Sequence, residues 1–133
     1  MDKSCPICEA TVHPLATYCK RCKRLLDRID VRAKHDREAR VEALKSSWDG
    51  ECFRCYYSGT RLIDDNHHDP RYITFDHRTP RREDDIVVCA AFLNDMKSDL
   101  SESEFRSIVI ELASRFSGGC FDESVLSFEH WTR

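Results

Sequence analysis

The fold is decided by three runs: Tyr72-Ile73-Thr74-Phe75, Ile86-Val87-Val88-Cys89 and Ala90-Ala91-Phe92-Leu93-Asn94-Asp95-Met96. The first two are rich in β-branched and aromatic residues, which is typical of two strands joined across the polar loop between them. The third run favours a short helix. The sequence therefore predicts a β-β-α unit that ends near Lys97.

Three polar side chains fall at the ends of these predicted elements. Asp76 and His77 close the first strand, and Asn94 projects from the helix, so one face of the unit holds a carboxylate, an amide and an imidazole. Mg²⁺ prefers such oxygen ligands and also accepts substrate phosphate. Histidine suits the role of general base because its ordinary pKa is near neutral.

These residues resemble a known signature. Phe75-Asp76-His77-x-x-Pro80 and Asn94-x-x-Lys97 are similar to the motif of the HNH, or ββα-metal, endonucleases, with Cys55-Tyr56-Tyr57-Ser58-Gly59 as an upstream match. The resemblance covers roughly Cys52 to Phe116. Asp85 stands where the family has a loop-bracing asparagine.

The resemblance implies an activity and its residues. Asp76 and Asn94 bind a catalytic Mg²⁺ or Mn²⁺, His77 is the general base, and the reaction is phosphodiester hydrolysis, with DNA as the expected substrate. Asn94 replaces a histidine, a variant that the family tolerates. Such small proteins resemble ones carried by phages and mobile elements.

Basic residues near this site have two open interpretations. Arg78, Arg81 and Arg82 can contact the nucleic-acid backbone, since guanidinium groups match phosphate oxygens in pairs. They can also pair with the acids that follow at residues 83–85. Lys97 lies one turn after Asn94 and either contacts phosphate or pairs with an acid such as Asp76 or Asp99.

Two Cys-x-x-Cys pairs near the N-terminus predict a structural zinc site. Cys5, Cys8, Cys19 and Cys22 have the spacing of a small zinc ribbon, and so short a segment has too little apolar surface to fold alone. Disulfides or a redox pair are the alternatives. His13 is interpreted as a loop residue. Four basic residues beside the second pair weakly favour phosphate contact: Lys20, Arg21, Lys23 and Arg24.

A second zinc site is not favoured. Many HNH domains hold zinc with four cysteines, whose positions here are Cys55, Ser58, Ala90 and Leu93, so three ligands are missing. A replacement set drawn from Cys52, Cys55, Cys89 and Cys120, or from His67 and His68, stays open. The simpler interpretation is that these thiols are small buried apolar groups.

Residues 27–48 contain no Gly or Pro and predict one bridging helix with an exposed middle. From Lys20 to Lys45 there are ten Lys or Arg against five acids, although the chain carries a net charge of −3. This asymmetry either orients the molecule on a polyanion or belongs to a solvated helix with mixed ion pairs.

The C-terminal part predicts a core helix. Ser101 and Glu104 form a capping box, an apolar stripe runs from Phe105 to Phe116, and Gly118-Gly119 ends the helix. The tail from Cys120 to Arg133 is interpreted as a docked segment or a partner-binding one.

The amino-acid composition favours a soluble, cytoplasmic protein. Of the 133 residues 34% are charged, no apolar run approaches the ~20 residues of a membrane span, and no signal peptide is expected. Cys-x-x-Cys spacing favours metal in a reducing compartment.

The predicted class is α+β: a zinc-ribbon module at residues 1–26, the basic bridging helix at 27–48 and an HNH nuclease domain with a C-terminal helix at 49–133. The rival hypothesis is an inactive HNH-like module that binds nucleic acid or protein within a larger complex. Asp85 and the negative net charge of the chain favour this rival hypothesis. A partner protein that supplies specificity, or a homodimer, is also open.

Overall fold

The computed structural model describes residues 3–30 and 37–118. Over these ranges the protein is a small α+β molecule with four helices and two antiparallel two-stranded sheets. No helix within them is long and apolar enough to cross a membrane. The elements are β1 (Lys3–Ser4), β2 (Thr11–Val12), α1 (Lys20–Asp30), α2 (Arg37–Ser47), β3 (Ile73–His77), β4 (Ile86–Ala90), α3 (Ala91–Lys97) and α4 (Glu102–Phe116).

The N-terminal module is a tight turn between β1 and β2, followed by α1. Cys5 N–H donates to Ala10 O (2.7 Å) and Glu9 N–H donates to Cys5 O (2.8 Å), which closes the turn. Glu9 adopts a left-handed φ of 65° there. Cys19 immediately precedes α1 and Cys22 lies in its first turn, so the turn presents one cysteine pair and the helix start presents the other.

The predicted bridging helix is replaced by two helices that pack against each other. Asp27 of α1 and Arg37 of α2 form an ion pair at 3.5 Å, whereas ten residues of one straight helix would place them about 15 Å apart. Leu25 and Leu26 in α1 and Leu44 in α2 are fully buried. The prediction of one continuous helix was therefore wrong, because α1 and α2 bury more apolar surface when they pack against each other than they would end to end. Residues 31–36 lie outside the described ranges.

The predicted β-β-α unit is confirmed. β3 pairs with β4 in antiparallel register, with Asp76 opposite Val87 and His77 opposite Ile86. The chain passes from β4 directly into α3, which packs against both strands. On the outer edge of β4, Tyr56 N–H donates to Val88 O at 2.8 Å and holds the upstream loop beside the strand.

One hydrophobic core joins the N-terminal module to the β-β-α unit. Its buried side chains include Ile7, Leu25, Leu44, Phe53 and Val88. Burying each such side chain contributes about 1.5–3 kcal/mol, so the N-terminal module and the rest of the chain stabilise each other.

α4 begins as predicted but is less buried than predicted. Ser101 Oγ accepts from Glu104 N–H and Glu104 Oε1 accepts from Ser101 N–H, which confirms the capping box. Phe105 is buried, whereas Leu112 is exposed and Phe116 is 84% exposed. The prediction of a core helix holds for Phe105 and in part for Val109, which packs against the core, but not for the C-terminal part of the helix. The tail from residue 119 to 133 lies outside the described residues.

Candidate functional site

The four N-terminal cysteines form a cluster suited to a metal ion. Their sulfur atoms all lie within 4.8 Å of one another. Cys8 Sγ and Cys19 Sγ are 3.6 Å apart. A tetrahedron with Zn–S bonds of about 2.3 Å has edges of roughly 3.8 Å, so small side-chain adjustments accommodate zinc. The predicted ligand set is thus brought together by the fold.

Backbone amides tune the charge of this cluster. Burial raises the pKa of Cys5, but hydrogen bonds from the backbone of Cys19, Cys8 and Ile7 outweigh it and lower the pKa to about 7. Burial keeps the pKa of Cys22 well above its ordinary value. His13 accepts a hydrogen bond at Nδ1 from Leu15 N–H and is a loop residue, as expected.

Arg21 packs into the protein rather than facing solvent. Its guanidinium lies 5.1 Å from the Trp48 ring centroid and 5.4 Å from that of Phe53. Burial lowers the pKa of Arg21, but its hydrogen bond to Cys8 and the charges of Cys8 and Cys22 raise it above the ordinary value. A role for Arg21 in phosphate contact is therefore a poor fit to its position.

The other basic residues beside the second cysteine pair are mostly paired. Lys23 forms an ion pair with Asp27 (2.8 Å), and Arg24 forms one with Asp64 (3.3 Å). Lys20 is exposed and has no partner within residues 3–30 and 37–118. The basic segment, as far as the structure describes it, thus forms mixed ion pairs.

Asp76 is buried at the junction of β3 and α3 and makes two strong contacts through one oxygen. Its Oδ2 accepts a hydrogen bond from the Tyr57 hydroxyl (2.7 Å) and lies 3.1 Å from Lys97 Nζ. Lys97 Nζ also donates to the backbone carbonyl of His77 at 2.9 Å. Lys97 thus forms one of the ion pairs weighed from the sequence, and its buried ammonium is not placed to contact a phosphate.

Asn94 faces the same side of the hairpin as Asp76. Its Nδ2 donates to Thr74 Oγ1 (3.1 Å) and to Phe75 O (3.0 Å). Thr74 and Asp76 are two residues apart on β3 and share a face. The amide nitrogen is therefore fixed on the strand, and Asn94 Oδ1 makes no hydrogen bond to any described residue.

His77 is exposed at the end of β3. Its imidazole has no hydrogen-bond partner among the residues that the structure describes. Asp76 Oδ1 is likewise uncommitted within those ranges. The junction thus presents a carboxylate and an amide that each retain one unused oxygen. The exposed imidazole of His77 belongs to the next residue of β3 after the buried Asp76.

Asp85 braces the loop between β3 and β4. Its carboxylate accepts a hydrogen bond from Thr79 Oγ1 at 2.7 Å and pairs with Arg78 at 2.8 Å. Burial raises the pKa of Asp85, but these two partners outweigh it and hold the pKa below its ordinary value. Asp85 therefore bridges both ends of the loop through its side chain.

Acidic partners occupy two of the three loop arginines. Arg78 contacts Asp85 and also lies 3.8 Å from Glu102. Arg82 makes a two-pronged contact with Asp84 at 3.2 and 3.0 Å. Arg81 is exposed, with a φ of 67°, and has no partner in the described part of the chain. Of the three, Arg81 is best placed to meet a phosphate.

A groove of about 1050 Å³ between α2 and this loop is a poorer candidate site. It includes the three loop arginines but excludes Asp76, His77 and Asn94. Five acidic residues and four arginines line it, so its charge does not favour a phosphate chain. We therefore place the candidate site at the junction of β3 and α3.

Cysteines outside the N-terminal cluster form no second metal cluster within the described ranges. Cys52, Cys55 and Cys89 are buried, and Cys89 Sγ lies 3.6 Å from Thr74 Oγ1. Cys120 is outside those ranges. His67 and His68 are exposed and contact each other, with ring centroids 4.0 Å apart.

Sequence reasoning missed Tyr57. Its hydroxyl reaches Asp76 across 19 residues of chain, and no local spacing predicts such a contact. Only its place in the Cys55-Tyr56-Tyr57-Ser58-Gly59 segment hinted at proximity to the site.

No known protein family, curated protein or solved structure matches this chain. The candidate site therefore depends on the geometry of its own residues.

Proposed function

We propose that this protein is a metal-dependent endonuclease of the HNH type that hydrolyses phosphodiester bonds, with DNA as the expected substrate. The observation that carries the proposal is that Asp76 and Asn94 face the same side of the hairpin with one unused oxygen each, and that the next residue of β3, His77, is exposed. Hydrolysis needs both kinds of group: hard ligands for a cation and a proton acceptor open to solvent.

Each residue has a separate task in this proposal. His77 takes a proton from a water molecule, whose oxygen then bonds to phosphorus while the bond to the 3′ oxygen breaks. The 3′ oxygen takes a proton from solvent water, which leaves a 3′-hydroxyl and a 5′-phosphate. Asp76 and Asn94 would hold Mg²⁺ or Mn²⁺, which supplies charge stabilisation for the phosphate and the leaving oxygen. Asp85 holds the loop that carries Arg81, and Arg81 contacts the nucleic-acid backbone.

We also propose that the cysteine cluster binds structural Zn²⁺. Four thiolates close a tetrahedral site and leave no open position for substrate, as in structural rather than catalytic zinc centres. Because the cluster adjoins the shared core, zinc would hold the N-terminal module against the rest of the protein.

The activity is tested with supercoiled plasmid and Mg²⁺ or Mn²⁺. His77→Ala should lower the nicking rate by about 10²–10⁴-fold, the usual contribution of a general base. His68→Ala, which removes another exposed imidazole, should cut at the wild-type rate. If His77→Ala cuts as fast as wild type, His77 is not the base.

One observation favours the rival function, a non-catalytic module that binds nucleic acid or protein. Lys97 already neutralises Asp76, so the carboxylate attracts a cation less than an unpaired one would. The same plasmid assay separates the two functions, because a binding module retards the plasmid on a gel without nicking it.

A further inference from the structure

Tyr57 contacts the proposed metal ligand and has no assigned role so far. Its hydroxyl donates to Asp76 Oδ2 at 2.7 Å. The hydroxyl is the donor in this contact, because the carboxylate oxygen can only accept.

The Tyr57 ring is held in place from several directions. It packs edge-on against Phe105 of α4 at 5.5 Å and against Tyr56 at 5.1 Å between ring centroids. The loop that carries it is closed by the hydrogen bond from Cys55 N–H to Thr60 O, at 2.9 Å. Because the loop is closed by its own hydrogen bond and the ring also packs against α4, the hydroxyl is held in place.

Tyr57 and Lys97 both engage the same carboxylate oxygen. With Oδ2 held at 2.7 Å and 3.1 Å, the Asp76 carboxylate is fixed against rotation. Oδ1 is bound by no described residue. A carboxylate held in this way presents its other oxygen in one fixed direction. Residues that hydrogen-bond to a metal ligand commonly orient it in this manner.

We infer that Tyr57 is a positioning residue: with Lys97 it fixes Asp76 Oδ2, so that Oδ1 is the oxygen presented to the divalent cation. This inference rests on the proposed function, since it assigns Asp76 as a metal ligand. The competing explanation is that the hydroxyl only satisfies a buried carboxylate and leaves cation binding unchanged.

The test compares Tyr57→Phe with Tyr56→Phe. Tyr57→Phe keeps the ring and its contacts with Phe105 and removes only the donor. Tyr56→Phe is a matched control, because it removes a neighbouring hydroxyl that donates to another carboxylate, Glu102 Oε1, at 2.8 Å.

Binding of Mn²⁺ is measured directly by electron paramagnetic resonance, alongside nicking at rising Mn²⁺. We expect Tyr57→Phe to weaken Mn²⁺ binding by about tenfold or more, with the nicking rate largely recovered at saturating Mn²⁺. Tyr56→Phe should stay within about twofold of wild type for both. A purely structural role would lower thermal stability without moving the Mn²⁺ dependence.

A measurement on the unmutated protein covers the case in which Tyr57→Phe folds poorly. In protein carrying ¹³C at the tyrosine Cζ atoms, the Tyr57 resonance should move on Mg²⁺ addition, while that of Tyr18 should not.

The outcomes separate the two proposals. If wild type nicks DNA but Tyr57→Phe has wild-type Mn²⁺ affinity, or the Tyr57 resonance stays still, this inference is overturned and the proposed function stands. If wild type neither binds Mn²⁺ nor nicks DNA, the proposed function is overturned and this inference with it.

Discussion

The ammonium group of Lys97 lies 3.1 Å from Asp76 Oδ2, and the two side chains are only 1% and 7% exposed. Both charged groups are buried away from water, so the charge of each is compensated by the other. Removing one partner of such a buried pair typically costs about 3–5 kcal/mol, because the remaining charge is left uncompensated.

Replacing Lys97 by methionine should therefore destabilise the protein by about 3 kcal/mol. Urea unfolding at neutral pH measures this loss. Lys45→Met is the control, because the Lys45 pair with Glu42 is exposed, and its removal should cost at most about 1 kcal/mol.

The same variant should respond more strongly to metal. Without the ammonium, a divalent cation on Asp76 becomes the main compensation for its charge, so Mn²⁺ should raise the Tm of Lys97→Met more than that of wild type. Equal Mn²⁺ responses in the two proteins would speak against cation binding at Asp76.

Removing metal from the cysteine cluster should unfold the N-terminal module and weaken the whole protein. Structural zinc binding contributes about 10–16 kcal/mol in small zinc modules, and here Leu25 beside the cluster packs in the same core as Leu44. A strong chelator should lower the Tm and shift Trp48 fluorescence to the red, since Arg21 would leave its ring. Using Trp131→Phe protein isolates Trp48.

Metal analysis completes this prediction. The purified protein should carry one zinc per chain, Cys22→Ser should lose it, and Cys52→Ser should keep it, since Cys52 is buried but lies outside the cluster. An unchanged Tm after complete removal of zinc would contradict a structural role.

The contact of Asp85 with Arg78 and Thr79 predicts a pH-dependent contribution to stability. Because the folded-state pKa of Asp85 is lowered, the stabilisation is present above its ordinary pKa near 4 and is lost as pH falls through the lowered value. Asp85→Asn should cost about 0.5–1 kcal/mol at pH 7.

Urea unfolding of wild type and Asp85→Asn as a function of pH checks this sign. The difference between them should shrink as pH falls below about 4, and high salt should shrink it at pH 7. If the difference in unfolding free energy grew as the pH fell, Asp85 would not be charged in its contact with Arg78 and Thr79 in the folded protein.

The turn at Cys55 predicts that a second metal site can be built. Cys55 N–H donates to Thr60 O (2.9 Å) and Gly59 N–H to Cys55 O (2.8 Å), as at Cys5 in the N-terminal turn (2.7 and 2.8 Å). Gly59 has the left-handed φ of 74° that Glu9 has at 65°. Ala90 and Leu93 occupy the start of α3, as Cys19 and Cys22 occupy the start of α1.

The triple variant Ser58→Cys, Ala90→Cys, Leu93→Cys should therefore bind one additional zinc with Cys55. Trimming Leu93 in the core costs about 2–4 kcal/mol, which metal binding more than offsets. Cobalt absorption and metal analysis should give two ions per chain. Adding Cys55→Ser to the triple variant should return the number of bound ions to one. If the triple variant itself bound only one ion, the turn at Cys55 would not support a metal site.

The sequence by itself determined the local features of this protein. Cysteines three residues apart already place two thiols on one turn, and Ser101 with Glu104 already forms a cap, because neighbours in sequence are neighbours in space. The strands of the β-β-α unit were predictable for the same reason, since the preference of β-branched and aromatic residues for strands acts within a few positions.

Tertiary structure decided the features that depend on distant residues. The packing of α1 against α2, the exposure of the C-terminal part of α4 and the contact of Tyr57 with Asp76 all depend on which surfaces meet in three dimensions. Lys97 illustrates the difference: its sequence position allowed a phosphate or an acid as its partner. In the structure Lys97 is buried and pairs with Asp76, because a buried ammonium group needs a carboxylate beside it to compensate its charge.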